Sequence, residues 1–162
     1  MTNREFFIER WEQEHPAFLR VLQALPPSRL DYRPHPRSRS AAELVWLLAY
    51  EEQTGSEMID TGKINWNETP PPPSLEEMIG VYEKAHSELA PRLARVDDRR
   101  WDEDKVQLLV AGQVALEATL SGMFWGVLFD AVHHRGQLSV YLRPMGGKVP
   151  SIYGPSADDM GT

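Results

Sequence analysis

The longest apolar-periodic stretch of the chain, residues 120–143, reads LSGMFWGVLFDAVHHRGQLSVYLR and is followed by Pro144. Its apolar residues recur every three or four positions, which is the spacing of one face of an α-helix. A proline directly after the stretch, with Gly146-Gly147 behind it, is typical of a helix end. The stretch therefore predicts a long helix that buries one face. The residues on that face are Phe124, Val127, Ala131, His134, Leu138 and Tyr141.

Three other segments begin with Ser or Thr followed three positions later by Glu, the capping box that starts many helices. These boxes are Thr2–Glu5, Ser40–Glu43 and Ser74–Glu77. Each precedes a stretch with helical periodicity. The predicted helices span about residues 3–24, 40–60, 75–96 and 120–143. Four long amphipathic helices predict an all-α fold, an up-and-down four-helix bundle with one long crossover.

The connections carry weaker signals. Residues 61–74, TGKINWNETPPPPS, contain four consecutive prolines, which predict an extended, semi-rigid spacer. VQLLV and QVALEA, separated by Ala-Gly within about residues 105–118, fit either a short hairpin or irregular loops. Residues 144–162 form a turn-rich tail.

Length and composition narrow the class of protein. A chain of 162 residues points to a single domain over 1–162, and the absence of cysteine excludes disulfides and thiolate metal sites. A net charge of −7 disfavours nucleic acid as the main partner. The longest apolar runs are too short to cross a bilayer, and the N-terminus does not resemble a signal peptide. We expect a cytoplasmic protein that binds neither nucleic acid nor membrane.

Polar residues on the predicted buried faces are the candidates for chemistry. Asp130 and His134 lie four positions apart on the last helix, and Glu51 interrupts the apolar stripe of the second. A polar group that faces a bundle core needs a partner or a function. The spacing of Asp130 and His134 fits two ligands for one metal ion, or a hydrogen bond that fixes the tautomer of His134.

The neighbours of this pair leave alternatives open. Arg135 and Gln137 fit contacts to a substrate anion, or contacts that tie the C-terminal tail to the helix. His133 lies about 100° around the helix from His134, which fits a half-exposed or interface position. No role follows from the positions of the remaining histidines, His15, His35 and His86.

The run HHRGQLSVYLRPMGGKVPSIYGPSADD, residues 133–159, together with PHPRSRSAAELVW, residues 34–46, closely resembles the DinB/YfiT-like superfamily. The resemblance covers nearly the whole chain, and its HHRGQ-x-x-x-YLR-x-x-G core and VP-x-x-YG tail are specific. It implies a four-helix bundle, commonly a homodimer, with a divalent metal in the bundle. It also implies an activity such as transfer or isomerisation that depends on a low-molecular-weight thiol, although many members have no assigned reaction.

The resemblance further implies three metal-binding histidines, one on the second helix and two on the last. The last of these positions is His134 here, its partner one turn earlier is Asp130, and the second-helix position is Leu47, which cannot bind a metal. Glu51, one turn after Leu47, is the candidate for the third ligand. Because each ligand also pre-organises the next, we expect a divalent metal such as zinc or nickel to be loosely held or absent.

Two functions from different classes follow. The first is a metal-assisted, thiol-dependent transferase or hydrolase that acts on a small electrophile, with the ion on Asp130, His134 and Glu51. In it Arg135 steers an anionic substrate and Gln137 contributes to the same substrate site. The second is a non-catalytic, dimeric, small-ligand-binding or stress-associated bundle that has lost its metal. Metal content separates the two.

Overall fold

The computed structural model describes residues 1–161 and is mostly helical, as predicted. The predicted bounds of the long helices agree with the observed ones to within one residue at each end. These helices are α1 (Asn3–Gln23), α2 (Ala41–Thr61), α3 (Leu75–Arg95) and α5 (Leu120–Leu142). A short helix, α4 (Asp98–Glu103), and a 3-10 turn at Pro27–Arg29 were not predicted. Within residues 1–161 no helix is long and apolar enough to cross a membrane.

The helix starts follow from the capping boxes. The Thr2 hydroxyl accepts a hydrogen bond from the Glu5 amide, and the Glu5 carboxylate accepts one from the Thr2 amide. Ser40 and Glu43 repeat this arrangement at α2, whereas at α3 the Ser74 hydroxyl is bonded to the Glu77 amide. Each box satisfies amide groups that the first helical turn leaves unpaired.

A three-stranded sheet accompanies the helices, so the all-α prediction was incomplete. Its strands, in spatial order, are β1 (Lys63–Trp66), β2 (Lys105–Val110) and β3 (Gln113–Thr119). Strands β2 and β3 form an antiparallel hairpin. Ala111 and Gly112 between them both have positive φ, 50° and 75°, as a two-residue hairpin turn requires. Of the two alternatives for this segment, the structure has the hairpin.

The spacer predicted over residues 61–74 was wrong in its first part. Residues Lys63–Trp66 form β1, which pairs in parallel with β2 and buries Ile64. This strand lies directly after Gly62, whose φ of 74° ends α2 in the left-handed region. Its pairing partner is about forty residues away in the sequence, so no local pattern around residue 64 indicated a strand.

The long helices pack with one another and enclose two apolar clusters. α2 contacts both α3 and α5, and α1 contacts α5 and α3. One cluster includes Leu22, Leu44 and Leu138, and the other includes Phe7 and Trp101. Trp101 of α4 is fully buried, so α4 and the sheet close one end of the helices. This closure places the hairpin beside the first half of α5.

Candidate metal centre

The structure brings Glu51, Asp130 and His134 together, with α2 supplying the first and α5 the other two. Nε2 of His134 lies 3.6 Å from Oε1 of Glu51 and 3.5 Å from Oδ2 of Asp130. One ligand atom from each residue lies within 4.8 Å of the others. Asp130 is 61% exposed whereas Glu51 is buried, so the group reaches from the core to the solvent.

Glu51 is the electrostatically unusual member of this group. Its residue is 3% exposed, and neither carboxyl oxygen has a hydrogen-bond partner among residues 1–161. Burial, and then the nearby charge of Asp130, raise the pKa of Glu51 to about 9. An ionised Glu51 would be a buried, uncompensated charge. A cation between it and His134 would compensate that charge, so the residues present fit a divalent metal.

Gln137 orients His134 rather than meeting the cluster itself. Nδ1 of His134 lies 3.1 Å from Oε1 of Gln137, and this oxygen can only accept. When Nδ1 donates to Gln137, Nε2 carries the free lone pair and faces the two carboxyl groups. Metal-binding histidines commonly donate their second ring N–H in this way.

Arg135 lies elsewhere. It is 2% exposed, and its guanidinium group binds the Glu14 carboxylate of α1 and the Tyr153 hydroxyl of the tail. It also lies over the Phe18 ring, 4.6 Å from the centroid. Within the described residues it makes no hydrogen bond or ion pair with Glu51, Asp130 or His134. These contacts match the alternative in which Arg135 ties the tail to the helix.

Leu47 and His133 lie next to the cluster without contributing to it. Leu47 is buried one turn before Glu51 and presents only carbon atoms. His133 is exposed, and its ring centroid is 5.3 Å from that of His134. Glu51 is therefore the residue of α2 that supplies a possible metal ligand.

A second polar cluster surrounds His86, and neither His86 nor His15 was predicted to have a role. Nδ1 of His86 lies 2.7 Å from Oε1 of Glu52, which also accepts a hydrogen bond from the Trp11 indole at 2.9 Å. The His86 ring stacks between Trp11 at 3.9 Å and His15 at 3.6 Å. His86 lies four residues after Tyr82, on the buried face of α3. This helical spacing was the sequence feature that could have predicted its burial.

We expect His15 to make the protein less stable in mild acid. Burial, and then the charge of His86, lower the pKa of His15 from 6.5 to about 4. Because the unfolded chain takes up the proton first, the free energy of unfolding should fall as the pH drops from about 6.5 to about 4. His15→Phe, which keeps an aromatic ring against His86, should flatten this dependence in urea titrations at several pH values.

The control for that prediction is His35→Phe, because His35 is exposed in a loop. It should leave the pH dependence of the unfolding midpoint unchanged. A His15→Phe protein with the same pH dependence as the wild type would contradict the prediction.

The cluster of Glu51 and Asp130 opens into a cleft between α5 and the sheet. Both residues line it, and its volume is about 630 Å³. That is within the range of small-molecule sites in proteins. A metal held by the cluster would therefore be next to a space that admits a ligand.

Comparison with known proteins supports the resemblance seen in the motifs. A DinB-like protein from Bacillus cereus superposes with a TM-score of 0.75 at 18% identity, over 92% of this chain and 97% of that one. A DinB-like protein from Bacillus subtilis gives a TM-score of 0.65 at 17% identity, over 86% and 91%. No protein with a curated description matches the sequence. The sequence model of the DinB family matches residues 1–161, and the chain therefore belongs to the DinB family.

Proposed function

We propose that this chain binds a divalent metal ion through Glu51, Asp130 and His134 and uses it on a small molecule in the adjacent cleft. The observation that carries the proposal is the carboxyl group of Glu51, which is buried, has no hydrogen-bond donor among residues 1–161 and lies 3.6 Å from Nε2 of His134. A group of this kind is costly in a core unless something binds it.

The ligand set is two carboxylates and one imidazole. Such a set suits zinc, nickel, manganese or iron. To bind an ion, Glu51 must lose a proton whose pKa is about 9. Competition with this proton weakens metal binding at pH 7 by about a hundredfold relative to an ionised site. The proposal therefore keeps the expectation of a loosely held ion, with affinity that rises with pH.

The proposed reaction is metal-assisted transfer or hydrolysis on a small electrophile, with a low-molecular-weight thiol or water as the attacking group. A bound divalent cation supplies Lewis acidity, which lowers the pKa of a thiol or water. The chain's own residues do the positioning. Gln137 holds the tautomer of His134, and Asp130 lies at the solvent-exposed side of the cluster.

Metal titration of untagged protein tests this proposal. Wild type should take up about one equivalent of zinc or nickel, and its melting temperature should rise by several degrees at a hundred times the Kd. His134→Ala should lose both effects because it removes the imidazole ligand. The matched control is His133→Ala, which alters the exposed neighbour and should behave as the wild type. Less than a tenth of an equivalent bound, with no thermal shift, would refute the metal site.

A second candidate function is a non-catalytic small-ligand-binding or stress-associated module. Leu47 in place of a ligand favours it, as does the high pKa of Glu51, which keeps that carboxyl neutral near pH 7. Under this alternative the double variant Leu47→His, Asp130→His should gain metal affinity over the wild type by tenfold or more, measured by calorimetry. If the double variant bound metal no more tightly than the wild type, the missing histidines alone would not explain a lost metal site.

We further propose the family's architecture for the whole chain. It is a single domain in which α1, α2, α3 and α5 form an up-and-down bundle with one long crossover. The protein is a homodimer in the cytoplasm, with neither nucleic acid nor membrane as its partner. Light scattering at micromolar concentration measures the mass, and a value near 18.5 kDa would contradict the dimer.

A further inference from the structure

The walls of the cleft beside Glu51 and Asp130 are apolar. The sheet supplies one wall, and residues 122–130 of α5 supply the other. Gly126 leaves room on the helix side, since a Cβ atom built there would meet nothing within 4 Å. The larger side chains of the two walls are Ile64, Trp66, Leu108, Leu116, Met123 and Phe129.

Several of these side chains remain in contact with solvent. Leu116 is 50% exposed and Phe129 is 66% exposed. Apolar surface gathered around a concave site, unlike apolar residues scattered singly, is typical of a binding surface. Burying it against the hydrocarbon part of a ligand would favour binding, because apolar surface is removed from water.

The charges in the cleft have one sign. Glu51 and Asp130 are the only ionisable groups among its lining residues, and no Lys, Arg or His lines it. Arg135, the nearest cation along α5, is buried against Glu14 and Tyr153 instead. A ligand anion in the metal-free cleft would lose its hydration and meet no cationic side chain among the lining residues. A hydroxyl or an ammonium group would find an acceptor in Asp130.

We propose that the cleft binds small molecules that have an apolar body and an uncharged or cationic polar end directed at Glu51 and Asp130. This inference rests on the proposed function, because it takes the cleft as the place where the substrate of that site binds. It replaces the anionic substrate that Arg135 was expected to steer.

Three probes with the same hydrocarbon chain test the proposal: octylamine, 1-octanol and octanoate. Each is titrated at pH 7 by calorimetry into the metal-free chain of 162 residues. At this pH the amine is protonated and the acid is ionised. Octylamine and octanol should bind, and octanoate should bind at least tenfold more weakly. Asp130→Asn should reduce the difference between octylamine and octanoate because it removes the negative charge.

Two variants on α5 show where the probes bind. Phe129→Ala should weaken octylamine and octanol binding at least fivefold. Val140→Ala, which truncates a 72% exposed apolar residue outside the cleft, should leave binding unchanged. The probes are titrated without metal, so their binding does not depend on whether the protein binds an ion. A failure of metal binding is therefore distinguishable from a failure of this proposal.

The proposal is overturned by any of three results. The first is octanoate binding as tightly as octylamine. The second is no binding of octylamine or octanol up to millimolar concentration. The third is equal losses in Phe129→Ala and Val140→Ala, which would place the probes elsewhere.

Discussion

Arg135→Met should lower the free energy of unfolding by about 3 kcal/mol, because it removes the buried cation of a largely buried ion pair with Glu14. The substitution leaves the Glu14 carboxylate without its cation and the Tyr153 hydroxyl without its guanidinium partner. Methionine can still fill part of the space beside Phe18, so most of the loss should come from the unpaired charge. Urea denaturation at pH 7 measures the effect.

The matched control is Arg143→Met, which removes the same charge from the C-terminal end of the same helix. Arg143 is largely exposed and pairs with Asp158 at the surface, so its loss should cost less than about 1 kcal/mol. Adding Glu14→Gln to Arg135→Met should recover part of the stability, since no buried charge then remains unpaired. Equal losses in the Arg135 and Arg143 variants would contradict the role of the buried pair.

Glu51→Gln should have the opposite effect and raise the free energy of unfolding of the metal-free protein by about 4 kcal/mol at pH 8. The pKa of Glu51 is about 9 in the folded state and ordinary, 4.5, in the unfolded chain. Between these values the folded state holds a proton that the unfolded state has released, so wild-type stability falls as the pH rises. The glutamine variant lacks this loss.

The gain from Glu51→Gln should therefore vanish near pH 4.5 and grow towards pH 9. Glu83→Gln, at an exposed position of α3, is the control and should show no such trend. Saturating zinc should reverse the order, because it stabilises only the protein that keeps the carboxylate ligand. If the free energy of unfolding depended on pH in the same way in the wild type and in Glu51→Gln, the raised pKa of Glu51 would be contradicted.

Much of the candidate site was predictable because α5 carries two of its residues on one helical face. The four-residue spacing of Asp130 and His134 places them together in any α-helix. Glu51 was predictable because it interrupts an apolar stripe one turn after Leu47. The contacts of Arg135 were not predictable. Arg135 is one residue after His134, so its side chain points to a different side of α5. Only the packing of α1 against α5 shows that Glu14 lies on that side.

The bounds of the four long helices were determined by the sequence alone, because capping boxes and apolar periodicity act within a few residues. The hairpin was only one of two alternatives that the sequence allowed. Three other features depended on the tertiary structure: β1 along β2, the stacking of His86 on His15, and the anionic lining of the cleft. Each depends on residues far apart in the chain. Their hydrogen bonds, ring contacts and common lining form only when the helices pack, so no local sequence pattern predicts them.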